Sequence, residues 1–157
     1  MKILKNMMQF AAVAALSMAS WQVSAQTLQA TQFEDQHEKP LELTGQTQWI
    51  ILTSEKAAGK IAKNTFEEMQ LTDLAAKGGI YVADVSAMPG FITRMFAIPK
   101  MQDYAFRVAV VNEEGLVDDW PKQEDKVSAI KLNNLEIESV DYFDSVEELQ
   151  SWLQQQM

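Results

Sequence analysis

Whatever chemistry this chain performs is done without a thiol, because none of its 157 residues is cysteine. That removes thiolate nucleophiles, Cys-ligated zinc and thiol-ligated iron–sulfur clusters together. The one histidine, His37, sits among Glu34, Asp35 and Glu38. A single imidazole falls short of the nitrogen-rich ligand sets of hydrolytic zinc sites, and a polar turn accounts for the residue. One histidine in a turn makes no case for a Ser-His-Asp triad either. Glu55 and Lys56 follow one apolar run, and Asp84 and Ser86 end another. A carboxylate and an amine at such an edge suit acid–base work, and equally suit the solvated first turn of a helix. The pairs Glu113-Glu114, Asp118-Asp119 and Glu124-Asp125 offer oxygen ligands for a cation such as calcium. They lack the alternate spacing of a calcium loop, so a solvated acidic face is expected. Gly78-Gly79 precedes an apolar run, whereas a dinucleotide-binding loop follows one.

Met88 to Met101 is the most unusual stretch, dense in methionine and phenylalanine. Met88, Phe91, Ile92 and Met95 recur at helical spacing and are expected to face the core. Phe96, Ile98 and Met101 fall off that stripe and form the candidate binding surface, since adaptable Met and large aromatic side chains suit a protein partner or a small apolar ligand. A short irregular helix buried on both sides is the alternative.

The elements that must position these groups alternate along the chain. Phe33 to Leu43, turning at Glu38-Lys39-Pro40, suggests a small hairpin. Trp49 to Leu52 is a continuous apolar run suited to a strand buried on both faces. Ser54 is placed to cap a helix carrying Ala58, Ile61, Ala62, Phe66 and Met69 on one side. A short helical piece, Thr72 to Lys77, stops at Gly78-Gly79. Ile80 to Val85 reads as a second buried strand, followed by a helix entered through Pro89. Phe106 to Val111 reads as a third strand. Val127 to Leu132 and Leu135 to Phe143 flank a hairpin link at Asn133-Asn134. Ser145 and Glu148 make a capping-box pattern before Val146, Leu149, Trp152 and Leu153. This order predicts an α/β sandwich with a central mixed β-sheet flanked by helices.

The pattern resembles the thioredoxin-like superfamily, in the branch of peroxiredoxins and secreted TlpA-type proteins. Phe33 to Leu43 is similar to that branch's opening hairpin, with Glu38 at its usual glycine. Trp49 to Ser54 is similar to the strand leading to the redox motif, Phe106 to Trp120 to the later strand and turn, and Val127 to Leu153 to the terminal hairpin and helix. The departures carry more meaning. Where the family places Cys-x-x-Cys or a peroxidatic Cys, this chain has Ser54-Glu55-Lys56-Ala57-Ala58-Gly59. Where the family places a cis-proline, it has Asp125-Lys126. Ser54, Glu55, Lys56 and Lys126 therefore mark a degenerate redox corner, and thiol–disulfide or peroxidase activity is not carried over.

Residues 1–25 read as a secretory leader, with Lys2 and Lys5 ahead of an apolar run from Met7 to Met18 and a small-residue site at Val23-Ser24-Ala25. Cleavage leaves one domain, 26–157, beginning at Gln26, periplasmic or secreted, with no stable membrane anchor and no cysteine for a lipid. The whole chain carries a formal charge of −9, and losing the leader removes two lysines and no acid. Such a charge repels phosphate backbones and anionic lipid, so nucleic acid is no partner. The expected function is a redox-inactive binding module whose partner is an unidentified protein or small apolar ligand, with no cofactor predicted. The alternative is a non-thiol enzyme or organic-cofactor protein that reuses the corner through Glu55, Lys56, Asp84 or Ser86. An acidic cation-binding protein is a third reading.

Overall fold

Five consecutive residues, Trp49–Thr53, are buried, as a strand covered on both faces must be. In the computed structural model, which describes residues 25–157, this strand lies inside a seven-stranded sheet. The expected leader lies outside the described residues except for Ala25. The strands are β1 (Thr31–Asp35), β2 (Pro40–Leu43), β3 (Trp49–Thr53), β4 (Gly79–Asp84), β5 (Ala109–Val111), β6 (Val127–Asn133) and β7 (Glu136–Phe143). Their order is β2-β1-β5-β4-β3-β6-β7, with β3, β4 and β5 parallel and the other pairings antiparallel. The helices are α1 (Lys56–Glu68), α2 (Gly90–Ile92), α3 (Ile98–Gln102) and α4 (Val146–Gln156), with a π-helical stretch, Thr93–Ala97, joining α2 to α3. The expected α/β architecture with a mixed central sheet is the observed one.

The path β3 to β4 to β5 steps in one direction across the sheet, and right-handed crossovers then put both connecting helices on the same face. Accordingly Ala58, Ala62 and Phe66 of α1, Met101 of α3, and Leu149, Trp152 and Leu153 of α4 share one core cluster with Trp49, Ile51 and Tyr81. The opposite face carries Ile50, Leu52, Ile80 and Val82, and no helical residue belongs to its cluster. It is covered by Leu28 from the amino-terminal segment and by Val117 and Trp120 of the β5–β6 connection, with Trp120 edge-on to Phe33 at 6.2 Å.

Trp49 joins several of these parts. Its indole is fully buried, donates to the Lys77 carbonyl at 3.0 Å and lies edge-on to Trp152 of α4. It is packed over Gly79, where a Cβ would fall inside the ring. Gly78 ends the one-turn helix Ala75–Lys77 in a left-handed conformation at φ +82°, as its residue type allows.

The opening hairpin is held by side chains more than by its two short strands. The Asp35 carboxylate accepts from the His37 and Lys39 amides and pairs with Arg107 at 2.7 Å, while Arg107 also donates to the Pro40 carbonyl. This lets Glu38 sit at φ +60°. Gln36 is 2% exposed; its Nε2 donates to the Met101 and Phe106 carbonyls and its Oε1 accepts from the Val108 amide. Those bonds correct the expected strand Phe106 to Val111. The backbone of Phe106 and Val108 is engaged by Gln36, and ladder pairing begins only at Ala109.

Two further boundaries move. Asn133 pairs with Glu136, so the β6–β7 turn centres on Asn134-Leu135, both left-handed at φ +48° and +69°. The amide of Leu28 bonds to the Leu135 carbonyl, and the Leu135 side chain packs on the second core cluster, which offsets the strain of a non-glycine residue there. Pro89 precedes α2 as its cap instead of occupying its first turn. The expected cap of α4 is present, with Ser145 Oγ accepting from the Glu148 amide.

Two glycines give opposite expectations in denaturant melts. Gly79→Ala drives a methyl into the Trp49 ring and should cost about 3 kcal/mol or more. At Gly59, inside α1, an added Cβ meets only the Tyr81 and Thr53 hydroxyls at 3.9 and 4.0 Å. Gly59→Ala should therefore stabilise by about 1 kcal/mol. A second prediction concerns acid. Burial alone raises the Asp35 carboxyl, and the Lys39 amide, the Arg107 guanidinium and the His37 amide more than offset it, holding it below its ordinary 3.8. Its contribution is then complete above about pH 4 and lost as pH falls through the folded value. Melts between about pH 6 and about pH 2 should show Asp35→Asn less stable at the neutral end and with a shallower acid limb than wild type; parallel curves would contradict it.

Candidate functional site

Because β3, β4 and β5 are parallel and β6 runs against β3, their ends at Thr53, Asp84 and Val111 and the start of β6 at Val127 share one edge of the sheet. This is the edge where open α/β sheets present ligands. It gathers Ser54-Glu55-Lys56, the Asp84-to-Ser86 turn, Asp125-Lys126 and the entry to the 90–102 helical segment.

The structure brings together the two segments that the family resemblance likens to a redox corner. The Glu55 carboxylate accepts a hydrogen bond from the Asp125 amide, tying the start of α1 to the residue before Lys126. Asp125 adopts φ +57° to make that turn. Ser54 is not the helix cap expected of it. Glu55 occupies the cap position in extended backbone with no side-chain cap bond, while the Ser54 hydroxyl is directed inward and buried without a hydrogen-bond partner. Lys56 is exposed and Lys126 half-buried. Glu55 is thus engaged across the corner with backbone, and Lys56 projects into water.

The second polar set is closed on itself. Asp84 is 8% exposed; one oxygen accepts the Ser86 hydroxyl at 2.6 Å and the Ser86 amide at 3.1 Å, and the other meets Lys122 at 3.1 Å. Burial pushes its carboxyl up, and the Ser86 and Lys122 donors outweigh burial and hold it below the ordinary value. An ionised, multiply hydrogen-bonded carboxylate is a weak base, and here it fastens the β5–β6 connection to the end of β4. Lys122 was not singled out by sequence; it lies 38 residues from Asp84, and no local spacing signals the pair. Beneath α1, the Tyr81 and Thr53 hydroxyls bond at 2.9 Å, and burial drives the phenol further from ionisation.

The Met- and Phe-rich segment is oriented opposite to its periodicity. Thr93 and Met101 are buried, at 2% and 6% exposure, and Ala97 and Ile98 pack against the core from partly buried positions. Met88, Phe91, Met95 and Phe96 face solvent, with Phe91, Met95 and Phe96 each more than half exposed. The segment changes pitch at the π-helical stretch, Thr93–Ala97, where bonding runs from i to i+5, and its inward line runs through Thr93, Ala97, Ile98 and Met101. Of the candidate surface, Phe96 is exposed, Ile98 is half-buried and Met101 belongs to the core. The expected core stripe keeps only Ile92 partly covered.

His37 is exposed on the hairpin turn and lines a cavity of about 370 Å³ with Glu34, Ile98, Gln102 and Asn112. The six residues of the acidic pairs are all exposed. Among the described residues, no three His, Asp or Glu side chains gather as a metal-ligand set, and no helix is long and apolar enough to cross a membrane.

No protein-family model and no curated protein matches the sequence. Solved structures do match the fold. Peroxidoxin BcpB from Mycobacterium tuberculosis superposes with a TM-score of 0.55 at 9% identity, over 84% of this chain and 94% of that one. A DsbE-type thiol:disulfide interchange protein from Chlorobium tepidum gives 0.56 at 16% identity, over 84% and 93%. The thioredoxin domain of a thiol-disulfide oxidoreductase from Bacteroides vulgatus gives 0.51 at 8%, over 82% and 96%. The fold of this chain is therefore thioredoxin-like, and it is built without a single cysteine.

Proposed function

We propose that the protein is an exported, thioredoxin-fold binding module with no thiol redox activity, acting through the exposed apolar surface of its 88–96 segment. The observation that carries this reading is the outward placement of Met88, Phe91, Met95 and Phe96 beside the ligand-presenting edge of the sheet. Large apolar side chains clustered in water are uncommon on soluble proteins and mark contact sites. The leader pattern of residues 1–25 supports export, and a cysteine-free chain needs no thiol partner in an oxidising compartment. The non-thiol enzyme reading has less behind it. Glu55 is bonded to the Asp125 amide and Asp84 to Ser86 and Lys122, so neither carboxylate stands as a free base.

Exposure makes a definite stability prediction. Phe96→Ser should move the denaturant midpoint by less than about 0.5 kcal/mol in equivalent stability, whereas a photo-crosslinking residue at Phe96 should form a discrete adduct in cells and one at Asp118 should not. A large loss of stability, or equal adducts from both positions, would count against the surface. Insulin-reduction assays should show no turnover above background, and amino-terminal sequencing of the exported protein should begin at Gln26. Turnover in contaminant-free protein, or an intact leader retaining Lys2 and Lys5, would defeat these two parts of the reading.

A further inference from the structure

Charge on the apolar segment is distributed unlike charge on the rest of the molecule. The chain is acidic overall at −9, yet between Val85 and Gln102 there is no carboxylate, and the only charged residues are Arg94 and Lys100. Both are exposed, and neither makes an ion pair among the described residues. Arg94 and Lys100 alternate with the exposed Phe91, Met95 and Phe96 along the same helical segment. The segment thus presents cations and exposed aromatic rings together, with no anion of its own.

Resting on the binding-module reading, we propose that this surface takes an acidic amphipathic polypeptide segment, its apolar side chains covering Phe91, Met95 and Phe96 and its carboxylates meeting Arg94 and Lys100. Other occupants fit less well. A second copy docked through the same face would oppose like charges across a two-fold axis. An anionic bilayer is recognised by clusters of about four to eight basic residues, and this segment carries two on a strongly acidic body. Glu113 and Glu114, following β5 at the same sheet edge, repel carboxylates from that side and favour their placement toward the helix. The unbranched Met side chains adapt to different apolar partners, and the cations select among them by charge.

Two labelled synthetic peptides test this, both with leucines at the same helical spacing, one carrying glutamates at the polar positions and the other lysines. By fluorescence anisotropy the glutamate peptide should bind the purified mature protein about tenfold or more tightly than the lysine peptide, against the sign of the protein's net charge. Phe91→Ser with Phe96→Ser should abolish that binding, and Arg94→Glu with Lys100→Glu should reverse the preference. All four positions are exposed, and melts of each variant establish that the fold is kept. Equal binding of both peptides, still dependent on Phe91 and Phe96, would overturn the acidic partner while leaving the binding module in place. Preference for the lysine peptide would overturn it too, as would stronger capture by phosphatidylglycerol vesicles, which would assign the surface to lipid. No binding to either peptide or to vesicles, together with no adduct from Phe96 in cells, would overturn both readings.

Discussion

Trp49 and Gly79 occupy one place in the fold: the indole of the first central strand fills the space where the first residue of the next strand would carry a side chain. The register of β3 against β4 follows from that fit, because sliding either strand would drive a Cβ into the ring or leave a cavity beside it. From that register, which sets Thr53 opposite Ala83, comes the edge at which the polar corner and the apolar helix lie together. The same indole reaches Lys77 by its nitrogen and Trp152 by its edge, so the turn before β4 and the terminal helix take their places from it as well.

The other half of the sheet is organised by polar groups. Gln36 and Asp35 are buried, and their hydrogen bonds to residues 101–108 replace a ladder that the backbone there does not make. Buried amides and carboxylates are tolerated only when their bonding capacity is used, and here it fastens a two-stranded edge to the irregular chain before β5. The hairpin is consequently an integral part of the domain.

The sequence made the fold legible wherever burial imposes a simple period. The continuous apolar runs of β3 and β4, the stripe of α1 and the Ser145 cap of α4 all lie where pattern places them. Pattern failed where a non-local bond or a change of helical pitch intervened. Phe106 and Val108 look like strand because nothing nearby shows that Gln36 takes their hydrogen bonds. Phe91 and Met95 look like core because they recur at helical spacing, whereas the segment turns Thr93, Ala97 and Met101 inward and changes pitch at Thr93–Ala97. Lys122 and Asp84 meet only once the connection between β5 and β6 has folded back. The corner residues Ser54, Glu55, Lys56 and Lys126 could be located along the chain, but not the inward turn of the Ser54 hydroxyl.

Placing the helical core residues on one face makes the two sides of the sheet unequal in a way that bears on motion. One side is sealed by helices with their own hydrogen bonds; the other is sealed by an irregular strap holding Val117 and Trp120, pinned by Lys122 at Asp84 and by the Asp125 amide at Glu55. An irregular strap without its own hydrogen-bonded secondary structure is the kind of cover that opens locally short of global unfolding, so the side chains of Ile80, Val82 and Ile130 are expected to meet water before those beneath the helices. The domain then has a hard side and a soft side, and the connection carrying Trp120 is the part expected to open first.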